Sequence, residues 1–521
     1  KMIFTSQYPE IDLECTSVTD YVINNCDKYG DKAALIDGPS GRTITYKQLK
    51  QYVRLCGHGL IAKGIKKGDV VAIYSPNLPE YAVLFHAIAA IGAIATTVNP
   101  LYTVEELVKQ LKDSKARLIV TVSVFLDKAL ASQKETAIED VFVFGEAEGA
   151  TPFASLLKND GSLYPEESPI TDPKKDLICL PYSSGTSGVA KGVCLSHYNV
   201  VANLQQAMKI LIVKEEDVAL GVLPFFHIYG MVVIMNLCLR DGATIVTVPK
   251  FEPEMFLSLI QEKKITVAHI VPPLVLFLAK HPIVAKFDLT SLRYIVSGAA
   301  PLSAELQGSL LERFPGLKAL QGYGMTELSP VACCVSCDDD KLGTCGKIAP
   351  NTEIKFVDPD TKEEKNVGEQ GELWIRGPQV MQCYLGNPTA TAETIDADGF
   401  LHTGDIGYID ADGFVYVVDR VKELIKYKGY QVAPAELEGI LISHPAVADA
   451  AVIPVADEEA GELPKAFVVM SDASVSHETI MAFVAEHVAP HKKIRLMETI
   501  DAIPKSASGK ILRRVLRARA K

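Results

Sequence analysis

No stretch of the chain is apolar for long enough to cross a membrane. The longest apolar run, Tyr81 to Val98, carries His86 and Gly92 and is followed by Asn99-Pro100. It reads as a core helix passing into a buried strand rather than as a span of about 20 apolar residues. An excess of positive charge is lacking too. The 52 Lys and Arg stand against 64 Asp and Glu, a formal charge of -12, which argues against nucleic acid as the main partner. The 11 cysteines are odd in number and lack the spacing of a small stapled domain, so they read as reduced thiols of an intracellular compartment. Cys333, Cys334, Cys337 and Cys345 cluster without the second separated pair or His partners that zinc wants. No internal repeat or low-complexity tract is present. What is there is a globular composition, 48% hydrophobic and 22% charged over 521 residues, enough for several packed cores.

Helix and strand patterns alternate through the first part of the chain. Thr45 caps a helix with apolar positions Tyr46, Leu49, Val53, Cys56 and Leu60, spaced by three and four residues. Gly64 ends it, and Val70 to Tyr74 is an apolar strand. Thr103 and Glu106 form a capping box, Ala116 to Val122 is the next strand, and Ala243 to Val248, Ile265 to Val271 and Arg293 to Val296 continue the rhythm. Such alternation predicts parallel sheets covered by helices. After about Lys347 the segments shorten. Turn pairs such as Asp358-Pro359, Asp398-Gly399 and Asp412-Gly413 separate antiparallel strand patterns at Glu372 to Arg376 and Phe414 to Val418. Beyond Asp419 come a charged linker and a compact α+β region.

Between two apolar segments lies Tyr182-Ser183-Ser184-Gly185-Thr186-Ser187-Gly188-Val189-Ala190-Lys191-Gly192. Glycines let a loop turn its N–H groups inward, hydroxyls add donors and a Lys adds charge, the chemistry of a phosphate cradle. It is not the G-x-x-x-x-G-K-[ST] loop, because Gly192 follows Lys191. Gln321-Gly322-Tyr323-Gly324-Met325-Thr326-Glu327 sets an aromatic between glycines, suited to stacking a base, ahead of a carboxylate that can share Mg²⁺ with phosphate oxygens. Thr403-Gly404-Asp405, the run Asp419 to Glu436 and Pro504-Lys505-Ser506-Ala507-Ser508-Gly509-Lys510 complete the set.

In this order the motifs resemble the adenylate-forming superfamily of acyl-CoA synthetases, beetle luciferases and peptide-synthetase adenylation domains. The likeness runs from about Thr43 to Arg514. Leu223-Pro224-Phe225-Phe226-His227-Ile228-Tyr229-Gly230 and Ser297-Gly298-Ala299-Ala300-Pro301-Leu302 are of the 4-coumarate–CoA ligase type. Two departures are visible: Ala190 stands where many relatives carry Pro, and Ser329-Pro330-Val331-Ala332-Cys333 departs at the acyl end. The resemblance implies an α/β fold with a large N-terminal domain, 1–419, of two mostly parallel sheets flanked by helices plus a β-barrel-like subdomain at about 347–419. A small mobile α+β C-terminal domain, 420–521, follows a hinge at 420–423, with Lys422 as the pivot.

It also implies an AMP-forming acid:CoA ligase acting on 4-coumarate or a related hydroxycinnamate. ATP, Mg²⁺ and coenzyme A are the expected small molecules, and a monomer or weak dimer in the cytoplasm the expected form. A peroxisomal location enters only if a C-terminal address was removed after Lys521. Ser183, Ser184, Gly185, Thr186, Ser187, Gly188 and Lys191 would hold ATP phosphates. Gln321, Gly322, Tyr323, Thr326, Asp405 and Arg420 would hold the nucleoside, and Thr186 and Glu327 the metal. Lys510 and His227 would serve adenylation; after rotation Lys426 and Gln431 would enter the site and Lys428 and Gly429 would meet CoA. Ile228, Tyr229, Val233, Val296, Ala299, Gly322, Gly324, Pro330 and Val331 would line the acyl pocket, with the small residues leaving a flat slot. The rival readings are a fatty-acid or jasmonate-precursor ligase, a luciferase-like monooxygenase, a carrier-loading adenylation module and a non-enzymatic nucleotide sensor. A mere binder would not need Lys510.

Overall fold

Val70–Tyr74 is buried along its whole length, which a strand tolerates only between two covering layers. In the computed structural model, which describes residues 2–183 and 190–520, it is central to the first sheet. Ile94–Thr97 and Ala116–Val122 flank it in parallel. Asp140–Phe144 and Thr151–Pro152 extend one side. On the other side Leu177–Cys179 leads to the antiparallel strand Lys191–Ser196. In the second sheet Ala33–Asp37, Thr244–Thr247, Val218–Gly221, Val267–Ile270, Tyr294–Ser297 and Lys318–Gly324 run parallel. Val331–Cys334 and then Lys347–Ile348 add to one end antiparallel. The helix Pro79–Ala90 is buried at every position but Glu80 and contacts strands of both sheets. A helix apolar on all sides belongs in such a shared core.

Local signals place the element starts. Thr45 Oγ1 accepts from Gln48 N at 3.1 Å while Gln48 Oε1 accepts from Thr45 N at 2.9 Å, a reciprocal cap for Tyr46–Ala62. Thr103 and Glu106 do the same for Val104–Ser114. No helix among the described residues is long and apolar enough to cross a membrane.

The third sheet is antiparallel, in the order Phe4–Thr5, Glu353–Val357, Gly371–Arg376, Leu401–Ile409, Val415–Arg420. The N-terminal Phe4–Thr5 pairs with Ile354 and Glu353, a partnership that two residues cannot announce by any periodicity. The fourth sheet holds Ile425–Tyr427, Tyr430–Val432, Val447–Asp457, Gly461–Met470 and Leu496–Thr499. With the helices Pro434–Ser443, His477–His487 and Arg513–Arg519 it builds apolar clusters of its own. The connection between the sheets is the charged run Arg420-Val421-Lys422-Glu423, with Lys422 exposed and Glu423 buried. Arg420 ends a strand, Val421–Glu423 is a 3-10 turn, and the buried Glu423 pairs with Arg517.

Candidate active site

The strand Lys318–Gly324 delivers Tyr323 at the carboxyl end of the second sheet, the customary place for a ligand in a parallel sheet. Its hydroxyl donates to Asp405 Oδ2 at 2.6 Å. Asp405 lies on Leu401–Ile409, in register with Arg420, whose Nε is 3.9 Å from Oδ1. Thr403 Oγ1 accepts from Asp405 N at 3.1 Å and donates to Leu373 O at 2.8 Å on the neighbouring strand. Burial pushes the Asp405 carboxyl up, opposed by Arg420, the Tyr323 hydroxyl and Lys510.

Glu327 sits in the 3-10 turn after that strand and is 1% exposed. Its Oε1 accepts from the Tyr384 hydroxyl at 3.0 Å. The Tyr384 ring also lies under Lys191, with Nζ 5.5 Å from its centroid. One ring therefore bridges the loop lysine and the expected metal carboxylate. Lys191 opens the strand Lys191–Ser196 opposite Ser183. Ser184, Gly185, Thr186, Ser187 and Gly188 lie outside the described residues, and the metal role expected of Thr186 with them. Among the described residues no group of three or more His, Cys, Asp or Glu is arranged for a metal. A single buried carboxylate fits Mg²⁺, which is commonly held by one or two carboxylates together with substrate phosphates and waters.

Lys510 reaches the same place from the C-terminal end. Its N–H donates to Ser506 Oγ at 3.1 Å, and Ser506 N donates back to Lys510 O at 2.8 Å. Gly509, at φ +81, lies at the carboxyl end of the strand Val267–Ile270: a Cβ there would stand 2.9 Å from Val271 Cγ2. The residue keeps some solvent contact, yet enclosure by protein lowers its ammonium to about 8. Arg420 and Lys422 push the same way, and Asp405 and Glu327 oppose them. His227 neighbours it. Burial, aided by Lys510, lowers this imidazole to about 3. Its Nδ1 accepts from Tyr229 N at 3.2 Å, so the neutral ring carries its proton on Nε2.

His227, Glu327, Asp405, Arg420 and Lys510 are thus brought together, with Lys191 joined to them through Tyr384. Lys426, Lys428, Gly429 and Gln431 are placed elsewhere. Lys426 and Gln431 face each other on the hairpin Ile425–Tyr427/Tyr430–Val432. All four are exposed, and Lys428 pairs with Glu459 at 3.1 Å. Lys422 is exposed in the turn Val421–Glu423.

Two expected binding residues have other duties. The Gln321 amide donates to Leu302 O and Thr344 O at 3.2 and 3.0 Å and accepts from Leu302 N at 2.9 Å. Its side chain braces the backbone, and its own carbonyl accepts from Val335 N at 2.9 Å. Gly324 does not open a slot: a Cβ there would stand 2.1 Å from Pro330 O, so glycine is needed for two backbones to touch. At Gly322 the nearest atom to a Cβ would be Cys334 Sγ at 3.4 Å. Ile228, Tyr229, Val233, Val296, Pro330 and Val331 are buried, and Ala299 is partly so at φ +71. The Tyr229 hydroxyl donates to Val296 O at 2.8 Å, and its ring covers Gly298. Tyr384 and Thr403 carry weight that sequence reasoning missed. Thr403 stood inside a motif already singled out, whereas nothing near Tyr384 marks it, since its partner Glu327 is 57 residues away.

This geometry has close counterparts. The chain matches the AMP-binding enzyme family over residues 23–385 and the AMP-binding enzyme C-terminal domain over 436–510. It is 44% identical to 4-coumarate–CoA ligase 1 of Petroselinum crispum, over 99% of this chain and 97% of that protein. Among solved structures it resembles the anthranilate CoA ligase AuaEII in complex with anthranoyl-AMP, with a TM-score of 0.90 and 27% identity, covering 97% of this chain and 98% of that one. ATP-bound MatB from Rhodopseudomonas palustris follows at 0.87 and 27%, covering 97% and 99%. These matches, which span the chain from end to end, place it in the AMP-binding enzyme family, among the 4-coumarate–CoA ligase-like, AMP-forming acid–thiol ligases.

Proposed function

We propose that this chain activates 4-coumarate or a related hydroxycinnamate with ATP and transfers the acyl group to coenzyme A. The observation that carries the reading is the convergence of Lys510 with His227, Glu327 and Asp405. A free carboxylate is a poor acyl donor because oxide would have to leave. Attack of that carboxylate on the α-phosphate of ATP expels pyrophosphate and gives the carbonyl AMP as a leaving group. Positioning and charge neutralisation supply most of such an acceleration. Lys510 would bridge carboxylate and α-phosphate as negative charge accumulates between them. Lys191 and the loop hydroxyls would hold the outer phosphates, and the His227 Nε2–H would meet the carboxylate. Asp405 accepts from Tyr323 and keeps acceptor capacity for ribose hydroxyls. Glu327 would hold Mg²⁺, which neutralises phosphate charge when bound. No side-chain nucleophile is required.

The exposed hairpin of Lys426, Lys428, Gly429 and Gln431 supports a second arrangement for the thiol step. In this reading residues 420–521 rotate as a unit on residues 1–419, within which 347–419 form the β-rich subdomain, and Lys422 is the pivot. The free thiols of this chain suit a reducing cytoplasm.

A fatty acid is the second reading. The aliphatic Val233, Val296 and Val331 and the commitment of the Tyr229 hydroxyl to Val296 O favour it. The test is a panel of acids, scored by exchange of labelled pyrophosphate into ATP and by thioester formation. Turnover of coumarate and caffeate is the expected outcome. Turnover of fatty acids alone transfers the assignment to the second reading, and absence of exchange with every acid of the panel rejects both.

A further inference from the structure

The strand Lys191–Ser196 carries on one side the two-residue strand Cys383–Tyr384, in a register that sets Cys194 directly opposite Cys383. Opposed residues of an antiparallel pair hold their Cα atoms about 4.5–5.5 Å apart with side chains on one face, within the about 4.4–6.8 Å span of a disulfide. The opposed thiols perturb each other: Cys194 lowers Cys383 to about 7, while Cys383 and burial raise Cys194. Cys383 is half-buried and reachable, whereas Cys194 is 2% exposed. That asymmetry is the one expected of an attacked thiol beside a resolving one. The ligase chemistry uses neither.

The location gives the pair leverage. The strand bearing Cys194 begins with Lys191 and is also paired to Leu177–Cys179 and Tyr182–Ser183. Cys383–Tyr384 pairs with that strand alone and is two residues long. A bond that draws the sulfurs to about 2.0 Å therefore moves the short strand, and Tyr384 moves with it. Tyr384 is the residue that holds Glu327 and lies under Lys191.

We propose that Cys194 and Cys383 are a peroxide-responsive thiol pair whose disulfide slows adenylate formation by displacing Tyr384 from Glu327. The Cys383 thiolate attacks one oxygen of hydrogen peroxide, the O–O bond breaks, and the hydroxide released takes up one proton and departs as water, leaving Cys383 as a sulfenic acid. The Cys194 thiol displaces the hydroxyl from that sulfur, the S–S bond forms and a second water departs. Two thiols lose two electrons and two protons, and the peroxide is reduced. Only the activity readout rests on the ligase reading.

The test treats the full chain with hydrogen peroxide, blocks remaining thiols, and maps peptides without reduction. The expected result is a Cys194–Cys383 cross-linked peptide lighter by two hydrogens. Pyrophosphate exchange falls about tenfold, the size of losing a group that orients a metal ligand, and dithiothreitol restores it. Cys383→Ser and Cys194→Ala keep the reduced rate and lose the response. Absence of the linked peptide overturns the proposal. So does a linked peptide with an unchanged rate, or an equal fall in Cys383→Ser, which would trace the effect to another thiol such as the exposed Cys15. If no acid supports exchange, the ligase reading fails, and the thiol-pair proposal is overturned as a control of adenylation even where the linked peptide forms.

Discussion

Lys510 is a cation held where charge is costly. Burial and the nearby Arg420 and Lys422 lower it to about 8, from 10.5, so it loses its proton as pH rises through that value. In the free enzyme kcat/KM for adenylation is therefore expected to fall above about pH 8, because the pH profile of kcat/KM reports free-enzyme groups. His227, already neutral above about 3, adds no limb near neutrality. Lys510→Ala is expected to cost about a hundredfold to a thousandfold in pyrophosphate exchange while leaving thioester formation from synthetic acyl-adenylate largely intact. Equal loss of both steps would contradict the role given to this residue. Tyr384→Phe removes the donor that orients Glu327. A rise of about tenfold in the Mg²⁺ concentration needed for half-maximal exchange is expected, measured by titration at saturating ATP.

Single elements show why local pattern reads well until two backbones meet. Tyr46–Ala62 buries Tyr46, Leu49, Val53, Cys56 and Leu60, the stripe its periodicity predicts. The hairpin of Lys318–Gly324 with Val331–Cys334 is different, because its register shifts between Tyr323 and Gly324. There Pro330 O closes on the Gly324 Cα. Gly324→Ala must push that carbonyl away, and overpacking of this kind costs about 1–3 kcal/mol. Denaturant unfolding followed by circular dichroism is expected to show that loss, and the KM for the acid should rise because Pro330 and Val331 shift with the carbonyl. A fully stable Gly324→Ala protein would disprove the close approach.

Across the whole molecule the fourth sheet's unit rests on the second sheet's side at three places. Gly509 meets Val271, and Gly439 meets Ser303, where a Cβ would stand 2.8 Å from the serine Cβ. Lys280, the last residue of the helix Pro272–Lys280, donates to Val447 O at 3.1 Å and to Ile442 O. Ile442 O lies in the last turn of Pro434–Ser443, so a cation faces the negative end of a helix in the opposite unit. Burial lowers the Lys280 ammonium. If rotation separates the units, these contacts favour the arrangement with Lys510 inside. Lys280→Ala is then expected to slow pyrophosphate exchange about two- to fivefold, the worth of one half-buried cation at a helix end, with thioester formation from pre-made adenylate unchanged. Lys428→Ala is expected to show the opposite bias. A parallel loss of both half-reactions in Lys280→Ala would mean that the contact only stabilises the fold.

The sequence alone marked the candidate groups. Lys191 and Glu327 stand out in short strings of glycines, hydroxyls and charge with a local physical purpose, Asp405, Arg420 and Lys510 through resemblance to the adenylate-forming superfamily, and strand and helix periods are likewise local. Packing between distant segments sets how those groups are held. It gave Glu327 a tyrosine from 57 residues away, spent the Gln321 side chain on backbone, and turned Gly324 from a slot into a contact. It also added Phe4–Thr5 to a sheet more than 300 positions downstream. Residue type and spacing state what a group can do; which atom lies within 3 Å of it is set by packing between segments far apart in the chain, where no local periodicity reaches.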